Sequence, residues 1–438
     1  MKSKSSKFQK RTFLDPIHGP IELFLDDPVE NLLSRLIDTS EFQRLRRIKQ
    51  MGTGWFSFHG AEHSRFGHSM GAMHIASKVI NHLSKKHFEI NKFEIFILVA
   101  ALLHDIGHGP FSHSSEKICG FSHEDWTKRI ILENTQINKL LKSFDKDLPS
   151  SVIKVLDYKK FPNYVSQIIS SYIDCDRLDY LYRDSYYVGV PYGLTGSNRI
   201  ISSLDIDSGL LVVDEKIGLD TVIHYLHARY SMYQQVYQHK KNLASDFLIS
   251  SIGKRMKEIR PKNIPDCLLE WLNVGNKKIN NVDLDAFLMA DDYAFFTGLQ
   301  NIINDKKSDK VLSSLSNAFL NRKLFKSLEF RHDIKNETQL SFYEKVKKIA
   351  KNKGFITEYF VGIQESSSKP YEPYEVSTAK TSKAIFIKQK NGDIKELSKI
   401  SNLVKVLSKE NVIKKCLVFT PEIAEDIYAQ KGLNEIFK

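Results

Sequence analysis

The sequence predicts a mainly α-helical protein with a small β-hairpin insertion and a smaller C-terminal α+β lobe, on three observations. Met70, Met73, Ala76, Val79, Ile80 and Leu83 recur at the three- to four-residue steps of one helical face, on a helix that begins near His68. Phe93 to Leu103 is apolar on every side, as befits a helix at the centre of a bundle. Past about Asn321 the pattern changes. Ala384–Lys388 and Asp393–Leu397 flank Asn391-Gly392, a pair that closes tight hairpins because both positions accept positive φ.

Taken in order, the elements follow from local chemistry. The first residues, MKSKSSKFQKR, carry five basic groups, no acidic one and no following apolar stretch, so they read as a frayed tail rather than a secretory signal. His104 and Asp105 close the apolar helix, and Gly107, Gly109 and Pro110 turn the chain. Ile173 to Asp184 reads as a helix with Arg177, Tyr180 and Asp184 on one flank beside Asp176. Leu204–Ile206 and Leu210–Asp214 flank Asp207-Ser208-Gly209 as the inserted hairpin. Leu219 to Asp246 reads as one long helix with Arg229, Tyr233 and Tyr237 at four-residue steps, a stripe that core packing alone would explain. In the lobe, Phe355–Ile363 and Lys415–Phe419 read as strands, Ser341–Lys351 and Pro421–Gln430 as helices, and Glu365–Thr381 as an exposed loop. At 438 residues the chain has room for two or three domains, and we place a boundary between 1–320 and 321–438.

Composition narrows the function. With 42% hydrophobic and 26% charged residues the chain is globular, and its apolar run Phe96 to Leu103 is far short of the ~20 residues that span a bilayer, so no membrane role is expected. Four scattered cysteines, Cys119, Cys175, Cys267 and Cys416, form neither a zinc knuckle nor a disulfide framework and suit a reducing cytoplasm. A net charge of +12 favours polyanions such as nucleotides, with weak nucleic-acid binding among the consequences, although a lysine-rich surface also serves solubility.

Ten of the fifteen histidines fall between His59 and His123, where an even spread would put about two. Clustered beside aspartates and glycines, they suggest a metal or phosphate site. Adjacent helical side chains diverge by about 100°, so an ion touched by both His104 and Asp105 lies between them and needs ligands from other segments. His68 and a later aspartate are candidates, because mixed imidazole and carboxylate ligation suits iron, manganese, zinc or, in part, magnesium. The bland reading of His104-Asp105 is a hydrogen-bonded helix end.

Four blocks in order, DPIHGPIEL (Asp15–Leu23), FQRLRRIKQMG with HSRFGHSMG (Phe42–Gly71), LLHDIGHGPFSH (Leu102–His113) and DCDRLDYLYRDSYYVG (Asp174–Gly189), resemble the HD-domain phosphohydrolases, particularly the deoxynucleoside triphosphate triphosphohydrolases. The resemblance covers about residues 11 to 250 and continues more weakly to the C-terminus. It implies an HD-type helical bundle and makes His68, His104, Asp105 and Asp176 the ligands of one divalent ion, with iron, manganese, magnesium, zinc and nickel not distinguished. It implies phosphate contacts for His108 and His123, proton transfer by His113, and Glu116 as the carboxylate that orients it, where some relatives have aspartate. It places Gln50 at the sugar 3′-hydroxyl and Tyr237 where a ribose 2′-hydroxyl would intrude, and Arg65, Arg177, Tyr180, Asp184, Arg229 and Gln238 elsewhere in the substrate pocket. Asp38, Gln43 and Arg46 resemble a guanine-recognising trio of regulated relatives that assemble as tetramers, so an activating guanine nucleotide and a homo-oligomer, tetramer or dimer, are expected. Tyr233 and Gly67 depart from the animal pattern and leave base preference open.

The expected reaction is hydrolysis of a deoxynucleoside triphosphate to deoxynucleoside and tripolyphosphate. Two alternatives stand beside it: an HD phosphodiesterase or nuclease acting on nucleic acid or another nucleotide, and a noncatalytic nucleotide or nucleic-acid binder.

Overall fold

The computed structural model describes residues 9–273, 279–373 and 383–438. It opens with an antiparallel pair, β1 (Lys10–Asp15) and β2 (Gly19–Phe24), with Asp15 opposite Gly19. Asp15 Oδ1 accepts the backbone N–H groups of Ile17 and His18 at 2.9 and 3.0 Å and so fixes the turn. The segment read as a frayed tail is thus strand from Lys10 onward, while residues 1–8 lie outside the described residues. Helix α1 (Pro28–Ile37) follows, capped by Asp27.

The centre of the bundle is α2 (Arg65–Leu83) against α3 (Glu94–Leu103). Every residue of α3 from Ile97 to Leu103 is buried, which explains an apolar run without a polar stripe. Two short helices, α4 (His113–Cys119) and α5 (His123–Leu132), lead toward α6 (Cys175–Val188). The last begins two residues later than expected, because Asp174 is its N-cap and accepts the N–H of Arg177 at 2.7 Å, a contact worth about 1 kcal/mol.

The expected hairpin is β3 (Leu204–Asp207) and β4 (Leu210–Asp214). The long helix expected from Leu219 to Asp246 is two helices, α7 (Glu215–Met232) and α8 (Lys240–Ile259). Between them Tyr233–Tyr237 winds as a π-turn and His239 is extended, its imidazole capping the N–H of Lys241. Farther on, α9 (Asp292–Asn304) packs under the site described below.

In the last third, β5 (Lys326–Glu329), α10 (Asn336–Asn352) and β6 (Val361–Ser368) precede β7 (Phe386–Lys388), β8 (Ile394–Glu396) and β9 (Val412–Phe419). Strands β5-β9-β6 form one sheet, covered by Phe342, Val346 and Ala350 of α10. The β7–β8 hairpin does not join it. It extends the earlier hairpin into a β3-β4-β7-β8 sheet through parallel pairing of β4 with β7, and Ala384, Ile385, Ile387 and Leu397 bury themselves in the helical core. Three boundaries also move. Thr357–Phe360 is a helical turn, so the strand expected from Phe355 starts at Val361; it runs on to Ser368, into the expected loop, of which residues 374–381 lie outside the described residues; and the helix expected from Pro421 is a 3₁₀ turn followed by Ala424–Tyr428.

Candidate active site

Helices α2, α3 and α6 converge on one point. His68 lies in the first turn of α2, His104 and Asp105 follow α3, and Asp176 lies in the first turn of α6. His68 Nε2 is 3.3 Å from His104 Nε2, 3.4 Å from Asp105 Oδ2 and 3.1 Å from Asp176 Oδ1. His104 Nε2 is 3.5 Å from Asp105 Oδ1 and 3.7 Å from Asp176 Oδ1. Ligands held about 2.1 Å from an ion at right-angled or tetrahedral separations lie about 3.0–3.4 Å apart, so the spacing of His68, His104 and Asp105 fits one shared cation, and Asp176 Oδ1 stands within ligand spacing of the two imidazoles.

The ring tautomers fit as well. His68 Nδ1 donates to Asp179 Oδ2 at 2.8 Å and His104 Nδ1 to the Ala101 carbonyl at 2.8 Å, which turns both Nε2 atoms to the centre. Burial opposes charge on His68, yet Asp176 and Asp179 push its pKa up to about 10. Asp176 is driven well below the usual carboxylate range, despite burial, by His104 and His68, and Asp105 likewise by Arg65 and His104. The four groups therefore demand a positive charge among them, which a divalent ion supplies in exchange for a proton. Two imidazoles and two carboxylates suit iron, manganese, zinc or nickel, with magnesium a poorer match.

Two absent side chains make room for this packing. A Cβ on Gly71 would fall 1.9 Å from Asp179 Oδ1, so α2 can carry His68 against α6 only with glycine there. A Cβ on Gly107 would fall 2.1 Å from the His123 carbonyl, so the turn after Asp105 admits α5 only as glycine.

Beside these four side chains is a cluster of imidazoles around one carboxylate. Glu116 Oε1 is 2.7 Å from His123 Nδ1, 3.3 Å from His113 Nδ1 and 4.0 Å from His108 Nδ1. Burial opposes its charge, but His113 and His123 hold Glu116 well below its ordinary pKa. The His113 side chain is 65% exposed at the cavity wall. His108 is fully buried and stacks on His123 with ring centres 3.9 Å apart, and burial, with Arg65 and His123 nearby, keeps it neutral. Its Nε2 is 3.3 Å from Asp105 Oδ1, so it stands behind the cavity and links the two clusters.

The loop before α4 is strained. Phe111 and Ser112 both have φ near +55°, at a cost of order 1–3 kcal/mol each. What holds them is a buried carboxylate: Asp292 at the start of α9 accepts the N–H of Phe111 at 2.7 Å and that of Lys49 at 2.9 Å. Burial pushes Asp292 up to about 7. Ser112 Oγ donates to the Lys49 carbonyl at 2.6 Å and receives Arg65 Nε at 2.9 Å.

A cavity of about 710 Å³ opens over both clusters, within the ~300–1,000 Å³ usual for small-molecule sites. Of the residues expected in a substrate pocket, Gln50, Arg65, Arg177, Tyr180, Asp184 and Tyr237 line it. The buried Gln50 Oε1 has no hydrogen-bond partner among the described residues. Tyr237 donates its hydroxyl to Asp184 Oδ2 at 2.7 Å, while His63 Nε2 donates to Oδ1 at 2.7 Å. Arg65 is committed to Asp105, and Arg177 to Asp174 and the Ser171 carbonyl. Arg229 and Gln238 lie behind the wall, Arg229 donating to the carbonyls of Lys369 and Pro370 at 3.1 and 2.5 Å and lying 4.7 Å from the Tyr233 ring centre. Asp38, Gln43 and Arg46 sit apart from the cavity. Arg11 grips Asp38 at 2.7 and 2.8 Å, Arg46 donates to Gln43 at 2.9 Å, and its guanidinium covers the Phe66 ring at 3.6 Å.

Asp179, His18, His63 and Asp292 carry no role in the sequence reading, and neither does Lys383, which reaches the cavity rim from the segment before β7. The signal for His18 was its place in the DPIHGPIEL block, and for Asp179 its place three residues after Asp176 on the same helix.

Residues 65–184 match the HD domain and residues 196–437 the HD associated region. The chain is 35% identical over 403 residues to the uncharacterized protein YwfO of Bacillus subtilis, covering 91% of this chain and 90% of that one. It is 28% identical over 395 residues to the human deoxynucleoside triphosphate triphosphohydrolase SAMHD1, covering 76% of this chain and 56% of the human one. A crystal structure of a phosphohydrolase from Bacteroides thetaiotaomicron superposes with a TM-score of 0.79 at 31% identity, over 94% of this chain and all of that one. The chain belongs to the HD-domain phosphohydrolase family. No described helix is long and apolar enough to cross a membrane.

Proposed function

We propose that the protein is a metal-dependent hydrolase of deoxynucleoside triphosphates, releasing deoxynucleoside and tripolyphosphate. The observation that carries the reading is that the His68 and His104 Nε2 atoms, 3.3 Å apart, lie 3.1–3.7 Å from carboxylate oxygens of both Asp105 and Asp176, beside a cavity lined by His104, Asp105, Asp176 and an exposed, carboxylate-held His113. The similarity to triphosphohydrolases of human and Dictyostelium, the latter 34% identical over 262 residues, supports the choice of substrate.

A divalent ion bound by His68, His104, Asp105 and Asp176 supplies Lewis acidity at a phosphate oxygen and acidifies water. Arg65 neutralises Asp105 and ties it to the Ser112 loop, so the centre and the imidazole cluster keep a fixed spacing. His113 gives a proton to the departing 5′-oxygen, which then leaves as a hydroxyl, and Glu116 keeps its ring oriented; a positioned acid of this kind is worth about 10²–10⁴ in rate. Gln50 Oε1 accepts a sugar hydroxyl. Tyr237, pinned by Asp184, fills the space beside the sugar and disfavours a 2′-hydroxyl. Lys383 on the same cavity wall attracts the phosphate tail, with Lys128, which is paired with Asp157 at 2.9 Å, beside it.

Asp38, Gln43 and Arg46 form a second nucleotide face, where a guanine nucleotide exchanges the present internal contacts for its own and joins copies of the chain. Light scattering with and without dGTP tests this face: a larger species with dGTP that Asp38→Ala abolishes supports it, and an unchanged mass contradicts it.

The test of the reaction is incubation of metal-replete protein with each dNTP, NTP, dNMP, cyclic dinucleotide and oligonucleotide, followed by chromatography. Tripolyphosphate with deoxynucleoside is the expected pair. Pyrophosphate with dNMP, or shortened oligonucleotide, would move the protein to the phosphodiesterase or nuclease reading.

A further inference from the structure

We infer that the turn between β1 and β2 positions the metal ligand His68, acting through the buried carboxylate of Asp179. The inference rests on the reading of His68 as a ligand. Asp179 is fully buried and receives four charge-assisted hydrogen bonds, two on each oxygen. His68 Nδ1 and Arg183 Nε donate to Oδ2, both at 2.8 Å. His18 Nε2 and Arg183 Nη2 donate to Oδ1, at 2.6 and 2.9 Å.

Because a carboxylate only accepts, each imidazole nitrogen facing Asp179 carries its hydrogen. In the neutral ring that leaves the lone pair on Nε2, which faces His104, Asp105 and Asp176. With both oxygens doubly held, the carboxylate cannot rotate, and the His68 ring it holds cannot swing away from the centre. A ring turned by even a modest angle would carry Nε2 out of the shared position.

Three of the four bonds trace to the same tight turn, one from His18 and two from Arg183. His18 is its last residue. Asp15, its first, accepts the backbone of Ile17 and His18 through Oδ1 and Arg183 Nη1 through Oδ2 at 2.9 Å. The turn therefore presents His18 to one edge of Asp179 and anchors Arg183 on the other. Gly71, which lets Asp179 lie against the backbone of α2, completes the fit from the His68 side. The role belongs to the turn, since the outer hairpin contact, Lys10 with Glu22, is solvent-facing and points away from this network.

The test uses the full chain, stripped of metal and titrated with Co²⁺ against a chelating dye, with the visible Co²⁺ spectrum as a second readout. Loss of a group that orients a ligating imidazole typically weakens metal binding about 10- to 100-fold. Asp179→Asn should fall in that range. His18→Leu should weaken binding in the same direction and alter the spectrum, with kcat reduced and KM for dNTP unchanged. His18→Gln, whose amide N–H falls near the imidazole Nε2–H, should restore affinity to within about twofold, and Glu22→Ala should change nothing. Should His18→Leu unfold, His18→Asn, whose shorter amide misses Asp179, takes its place. A folded His18 variant lacking the donor that binds Co²⁺ with wild-type affinity and spectrum overturns the role of the turn alone. Wild-type protein without any Co²⁺ binding that Asp176→Ala abolishes overturns the metal centre, and this inference with it.

Discussion

The two clusters on the cavity wall are built differently. The four metal-ligand candidates come from the starts of α2 and α6 and the end of α3, which is buried from Ile97 to Leu103, and each imidazole is fixed by a partner on its far nitrogen. The other cluster takes His113 and Glu116 from α4, His123 from the start of α5 and His108 from the turn that leads into the strained loop, with one ring largely exposed. A metal centre has to be rigid and correctly charged before its ion arrives. A proton donor has to reach solvent and substrate, and the His113 side chain is 65% exposed. The first region should therefore fail in metal content and the second in turnover alone.

The largest effect expected is that of Asp176→Ala, which removes a ligand and should drop turnover by about 10³-fold or more together with bound metal, since such ions supply several kcal/mol at the transition state. Turnover near wild type would break the distinction at once. His113→Ala should cost about 10²–10⁴ in kcat while metal content stays intact, as measured by elemental analysis beside steady-state rates. Glu116→Gln keeps the shape but loses the charge that holds two imidazoles, and should cost about tenfold. Equal losses in Glu116→Gln and His113→Ala would sharpen the picture by making Glu116 as essential as the donor.

The smallest effect concerns the loop. The folded pKa of Asp292, about 7, lies above its ordinary value of 3.8, so the folded chain keeps a proton that the unfolded chain has released. Its contribution to stability is complete below about pH 4 and is lost as pH rises toward 7. Asp292→Asn lowers stability by weakening the hold on Phe111 and Lys49, but it does not titrate. The melting-temperature deficit of the variant should therefore be larger at pH 5 than at pH 8. A deficit independent of pH would show that Asp292 is ionised throughout.

Much of this was legible in the sequence. The bundle could be read from the helical spacing of Met70 to Leu83 and the unbroken apolar run after Phe93, because both patterns record burial directly. His104 and Asp105 stood out because Gly107 and Pro110 end the element beside them. Other features depend on tertiary partners that no local pattern encodes. Nothing around Phe386 announces that β7 pairs with β4, some 170 residues earlier. The break at Tyr233–Tyr237 hides in a periodic stripe, since a π-turn changes the hydrogen-bond pattern by one residue without a proline or glycine to mark it. Arg65 and Arg177 match substrate-pocket positions by resemblance, but carboxylates within the fold already engage them. Asp292 is distant in sequence from the loop it holds, and only the fold brings it under Phe111.

The central claim is that His68, His104, Asp105 and Asp176 share one cation. Elemental analysis of dialysed wild-type, Asp176→Ala and His113→Ala protein tests it most directly. The account predicts about one equivalent of a divalent transition metal per chain in the wild type and in His113→Ala, and little in Asp176→Ala. Metal that survives loss of Asp176 but disappears with His113 would place the ion in the wrong cluster and contradict it.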